Sequence, residues 1–141
     1  MSGTEKHLVY KISNIRYNII MKSEKESIKV LQQCAELQLK KSNDYQNPNS
    51  RIKQADYYPR GIASILDIIH AKVLRMQSVL EAMENDPNYK PNFESIEDSG
   101  CVLINYSSFL VAYMRNGIEG QRIDRDFLNR KIELTDMIAD D

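Results

Sequence analysis

The sequence predicts an all-α fold, a bundle of four to five helices. Apolar residues recur at intervals of three and four along most of the chain, no stretch alternates apolar with polar as a strand would, and Pro, Gly and Asn gather in a few connections. With 141 residues and 42% apolar content, the chain can close one core and is short for two domains, so residues 1–141 are expected to form one domain with one site.

Taken in order, Leu8, Ile12, Ile15 and Ile19 form the stripe of an amphipathic helix from Glu5 to about Lys22. Ser23 with Glu26 has the S-x-x-E form of a capping box, so a second helix is expected from Glu24 to about Lys41, burying Ile28, Leu31, Ala35 and Leu39. Ser42 to Arg60, SNDYQNPNSRIKQADYYPR, has no helical period and two prolines, and reads as a long functional or mobile connection. A third helix is expected from near Gly61, striped by Ile62, Ile65, Ile69, Val73, Met76 and Leu80 and stopped by NDPNYKP. Asn92 is placed to cap a fourth, from Phe93 to about Asn116, with Ile96, Leu103, Phe109, Leu110 and Met114 inward and Gly117 and Gly120 closing it. Ile123, Phe127, Ile132 and Leu134 repeat the spacing, which predicts a fifth helix at about 121–138.

Lys and Arg number 19 against 20 acids, a balance without the field that holds duplex nucleic acid by its phosphates. No secretory leader stands at the amino end, and no apolar run approaches the roughly 18 to 20 residues of a spanning helix. A cytoplasmic protein with no membrane partner is therefore expected. Cys34 and Cys101 lack metal or redox spacing and sit in apolar helical patterns, so both are expected as buried thiols without chemistry. His7 and His70 have no partner at ligand spacing, and no P-loop or nucleophile motif occurs.

The polar chemistry gathers in three places. Glu94, Asp98, Cys101 and Asn105 fall at helical spacing on one face, with Glu97 beside them. Such carboxylates either complement a helix amino terminus or, facing another acid, hold Mg²⁺ through oxygen. Glu36, mid-stripe on the second helix, is the candidate opposing acid, the alternative being a surface carboxylate. Asp44, Tyr45, Arg51, Lys53, Tyr57, Tyr58 and Arg60 could stack on a base and pair with phosphate, or form a solvated loop whose tyrosines patch the core. Lys72 and Arg75 project one turn apart, either to cover their helix or to reach an anion.

The run KKSNDYQNP, the K-x-x-R of Lys72 and Arg75, and ESIEDSGCVLINY from Glu94 to Tyr106 have a familiar order and spacing. In these the chain resembles the phage and bacterial nucleotide modification associated domain 1 proteins, relatives of the all-α MazG and dUTPase-like nucleoside triphosphate pyrophosphatases. The likeness spans about residues 30 to 114. It implies a MazG-like bundle, a homo-oligomer of two or four chains, that binds a nucleoside triphosphate through Mg²⁺ held by acids from two helices. Against that pattern Gln32 and Gln33 stand where carboxylates are usual, Ala71 replaces an Asp before Lys72, and Val102 replaces a second Asp on the later helix.

Two functions are thus expected. The first is a phage-type, Mg²⁺-dependent pyrophosphohydrolase that cleaves between the α and β phosphates. In it Glu36, Glu94, Glu97 and Asp98 are catalytic, and Glu36, Glu94 and Asp98 bind the metal. Asp44, Tyr45, Arg60, Lys72, Arg75, Asn105 and Tyr106 meet the nucleotide. The second is an inactive module that sequesters a nucleotide or a nucleotide-derived signal and so counters host defence, because stacking and cationic clamps suffice for binding.

Overall fold

The computed structural model describes residues 4–6, 8, 11, 25–45, 47 and 49–133. Three long helices carry them: α1 (Glu26–Tyr45), α2 (Ile62–Asn85) and α3 (Ile96–Met114), with a 3-10 turn at Gln54–Tyr57. The fold is all-α. Among the described residues the single extended pairing is an isolated bridge between Arg125 and Lys131. The helix expected from Glu5 to Lys22 lies largely outside the described residues, as does Ser23.

α2 and α3 pack closely, and α1 packs mainly on α3. Tyr58, just before α2, meets the ring of Tyr113 near the end of α3, while Lys72 of α2 reaches Glu94 just before α3, so these two helices run antiparallel. Cys34 pairs with Cys101 and Gln38 with Asn105, so α1 and α3 run parallel. The core sits where α2 begins and α3 ends, and joins Tyr58, Ile65, Tyr113 and Ile118. Ile65 is wholly buried, and its removal from water contributes about 2 kcal/mol. Burial, with the negative charge of Asp126, pushes the Tyr113 phenol above its ordinary pKa.

α2 has the expected bounds, because its apolar stripe, Gly61 and the turn at Asp86 agree. α1 runs on to Tyr45, and its inner face differs from the expected one. Leu31 and Leu39 are 50% and 69% exposed, whereas Cys34 is buried. The disulfide and the Gln38 amide, rather than the longest apolar stripe, turn this helix toward α3. α3 starts three residues later than Phe93, since Ser95 caps it. The Ser95 hydroxyl accepts the Asp98 amide at 3.1 Å, and the Asp98 carboxylate accepts the Ser95 amide at 3.1 Å. At its other end Asn116, not a glycine, takes the left-handed conformation at φ 55°, and the Gly117 amide returns to the Ala112 carbonyl.

The fifth helix does not form over 121–133, which are turns and coil. Asp126 accepts the amides of Leu128 and Arg130 on its own carboxylate, taking donors that a helix would need. Asn129 has a φ of 59°, which no helix interior allows. The segment serves the other helices instead. The Phe127 carbonyl accepts the Ile62 amide at the start of α2, and Gln121 bridges the Ile118 amide and the Tyr113 carbonyl. Gly61, at φ 58°, is required there, because a Cβ would run into the Phe127 carbonyl.

Candidate functional site

α1 and α3 are joined by two rungs. The first is the Cys34–Cys101 disulfide, with Cα atoms 5.6 Å apart. This corrects the expectation of two separate thiols. One turn further along both helices, the Gln38 amide donates to Ser108 Oγ at 3.0 Å and to Asn105 Oδ1 at 3.5 Å. Two clefts adjoin this helix pair: an upper one, toward the core, and a lower one that runs along α1 from Glu26 to Lys41 and along the first half of α3 to Ile104, with Lys41 and Val102 common to both.

The upper cleft encloses about 560 Å³. Buried Tyr58 and half-buried Ile68 and Val102 line its depth, and exposed Tyr57, Leu39 and Lys41 its rim. Asn105, 8% exposed, and Gln38 add carboxamides to its lining, beside the Tyr106 and Phe109 rings, which meet edge to face with centroids 5.4 Å apart. Local chemistry sets these walls. The Asp56 carboxylate accepts the Lys53 amide at 2.8 Å and starts the 3-10 turn, the Glu119 carbonyl accepts the Ala55 amide, and Gln54 donates to the Tyr58 hydroxyl at 3.4 Å. The result is a concave aromatic surface with a few placed amides and a cation at its mouth, the composition of a small-molecule pocket.

The lower cleft, about 930 Å³, gathers Glu26, Glu94, Glu97 and Asp98 with Lys41. Its acids at the start of α3 do structural work. Glu94 precedes the helix and takes Lys72 Nζ at 2.9 Å and Arg75 Nε at 3.6 Å, while Arg75 also donates to the Glu94 carbonyl. Asp98 completes the cap, and its bonds from the Ser95 amide and hydroxyl hold its carboxyl below the ordinary carboxylate pKa. Glu97 is exposed in the first turn, where the helix dipole favours it.

The expected metal set is therefore not assembled. Glu36 lies two residues from both Cys34 and Gln38, about 200° around the helix from the face that meets α3, and is exposed. Among the described residues no group of three or more His, Cys, Asp or Glu is placed to hold a metal ion. The residues present do not fit the Mg²⁺ that the resemblance implies. Lys72 and Arg75, expected on a phosphate, neutralise Glu94 instead, and Arg60 stands exposed with Asp67 at 3.6 Å. Asp44 is exposed in the last turn of α1, and the Tyr45 side chain lies outside what the structure describes. Of the expected binding residues, Asn105 and Tyr106 come together in the upper cleft.

The spacing missed Gln38, Ser42, Gln54 and Phe109 as lining residues. One signal was available: Cys34 and Gln38 repeat the four-residue interval of Cys101 and Asn105, so two matched pairs could face each other. Among the described residues no helix is long and apolar enough to cross a membrane. No family model, no curated protein and no solved structure matches the chain.

Proposed function

We propose that the chain binds a nucleotide or nucleotide-derived small molecule in the upper cleft and holds it without hydrolysis. The observation that carries this reading is the separation of the two chemistries. The stacking surfaces and amides of Tyr57, Tyr106, Asn105 and Gln38 surround one cleft, whereas Glu94 and Asp98 are engaged outside it. A planar base fits against exposed tyrosine, where stacking contributes about 1 to 3 kcal/mol. A volume of about 560 Å³ suits a mononucleotide-sized ligand. Lys41 and Ser42 at the rim suit a phosphate.

In this reading the kinship with MazG-like proteins is one of bundle and ligand, with the Gln32, Gln33, Ala71 and Val102 departures marking loss of the metal chemistry. Sequestering a nucleotide signal, in a phage opposing host defence, is the role such a module fits. A homo-oligomer belongs to the same proposal.

The test is a thermal-shift panel of nucleotides and cyclic dinucleotides, with and without Mg²⁺, beside an assay for monophosphate release. A ligand that binds only the folded chain raises its melting temperature. The expected result is a Mg²⁺-independent shift without turnover, reduced about tenfold in affinity by Tyr57→Ala. Mg²⁺-dependent release of monophosphate that Glu94→Gln abolishes would restore the hydrolase reading in its place.

A further inference from the structure

We infer that the Cys34–Cys101 disulfide is a redox-operated latch on the upper cleft, opened by a low-molecular-weight thiol that enters through the lower cleft. The inference rests on the reading of the upper cleft as a ligand site. α1 supplies that cleft's outer wall through Gln38, Lys41 and Ser42, and α1 packs mainly on α3. The disulfide lies one turn from the Gln38 rung on both helices, so the spacing of the two helices at the sulfurs sets their spacing at Gln38 and Asn105.

Both cysteines line the lower cleft, but the two residues are not equally covered. Cys34 is 1% exposed, whereas Cys101 is half-buried on the lower cleft. Its neighbour Gly100 lines the same cleft, and a Cβ placed on that glycine would meet no atom of another segment within 4 Å, so this side of α3 is open beside Cys101. An attacking thiolate such as glutathione forms a bond to Cys101 Sγ and breaks the bond to Cys34, whose sulfur leaves as a thiolate and takes a proton. A second thiolate then attacks the mixed disulfide, which releases oxidised glutathione and the Cys101 thiolate. Two electrons pass to the protein, and glutathione disulfide drives the reverse. With the latch open, Gln38 alone ties the middle of α1 to α3 among the hydrogen bonds described between them.

The experiment compares the full chain equilibrated with glutathione disulfide and with excess glutathione. Alkylation and mass spectrometry count the thiols, hydrogen exchange follows the backbone, and a fluorescent ATP analogue probes the cleft. On reduction, amides in the C-terminal half of α1 should exchange about tenfold faster while those around Ile65 and Tyr113 keep their protection. The analogue should bind the reduced chain about fivefold more weakly. The pair Cys34→Ser with Cys101→Ser should reproduce the reduced chain under both conditions, and protected core amides establish that it is folded. Identical exchange in the two states, or sulfurs that glutathione fails to reduce, overturns the latch. If the analogue binds both states equally, the latch falls and the ligand site survives. If it binds neither while α1 still responds, the latch stands and the nucleotide reading falls.

Discussion

The upper and lower clefts both lie against α1 and α3, yet their polar groups are spent differently. Below, Glu94 is neutralised by Lys72 and Arg75, and Asp98 is engaged by the cap. Above, Gln38 and Asn105 are bonded to each other at 3.5 Å and keep further donor and acceptor capacity, since each carboxamide carries two donors and an acceptor. The difference teaches that a cluster of carboxylates is weak grounds for a metal site until their partners are known. A modest amide pair among aromatic rings carries more information about ligand binding.

The largest effect should come from the covalent tie between α1 and α3. The disulfide spans a sequence separation of 67, and losing such a loop closure costs about 4 kcal/mol in the chain-entropy account. Denaturant titration of the Cys34→Ser, Cys101→Ser chain measures it, and an unchanged midpoint would mean that the sulfurs do not join the helices. Next, Gly61→Ala should cost about 3 kcal/mol, because the left-handed φ and the Phe127 carbonyl both exclude a Cβ. This should disturb the Tyr58 side of the upper cleft and leave the lower one intact, as tyrosine fluorescence and exchange would report.

Within the lower cleft, Glu94→Gln should cost about 1 kcal/mol, since it removes the anion from a partly exposed pair and leaves two cations in place. Ligand affinity above should be unchanged. Should affinity collapse, the two clefts would be a single site. Ser95→Ala should cost about 1 kcal/mol through the lost cap.

The smallest effect is the acid limb of stability. Asp98 has a lowered carboxyl pKa from its Ser95 bonds. For Asp126, burial opposes ionisation but the bonds from Arg130 and Leu128 and the Arg130 charge outweigh it, and its pKa is lowered too. Folding favours both ions, so this stability is present above the ordinary value of 3.8 and is lost as pH falls through the lower folded values. Asp98→Asn should flatten thermal melts in that acid range, and an unaltered profile would remove Asp98 from the cap.

How much of this was legible follows from the range of each interaction. α2 was readable because stripe, Gly61 and the Asn-Asp-Pro stop are all local. The start of α3 was misplaced because Asn92 and Ser95 both suit a cap, and Asp98 at the third helical position completes the box for Ser95 alone. Residues 121–133 kept a helical spacing while Asp126 withdrew the amides that a helix requires, which apolar periodicity does not register. Glu94 looked available because its cations stand 22 and 19 residues earlier, brought near only by the antiparallel pairing of α2 with α3. Asn105 and Tyr106 line one cleft while Glu36 lies off the face that meets α3, since a residue's own helix face is local and the rotation of that helix is not.

The covalent tie between α1 and α3 encircles all of α2 and the connection that precedes it. A protease that cuts once between residues 49 and 53 would open the backbone without releasing a fragment. Such a nicked chain migrates as one species on a non-reducing gel and as two once its sulfurs are reduced, so the integrity of this protein on a gel depends on the running buffer as much as on its backbone.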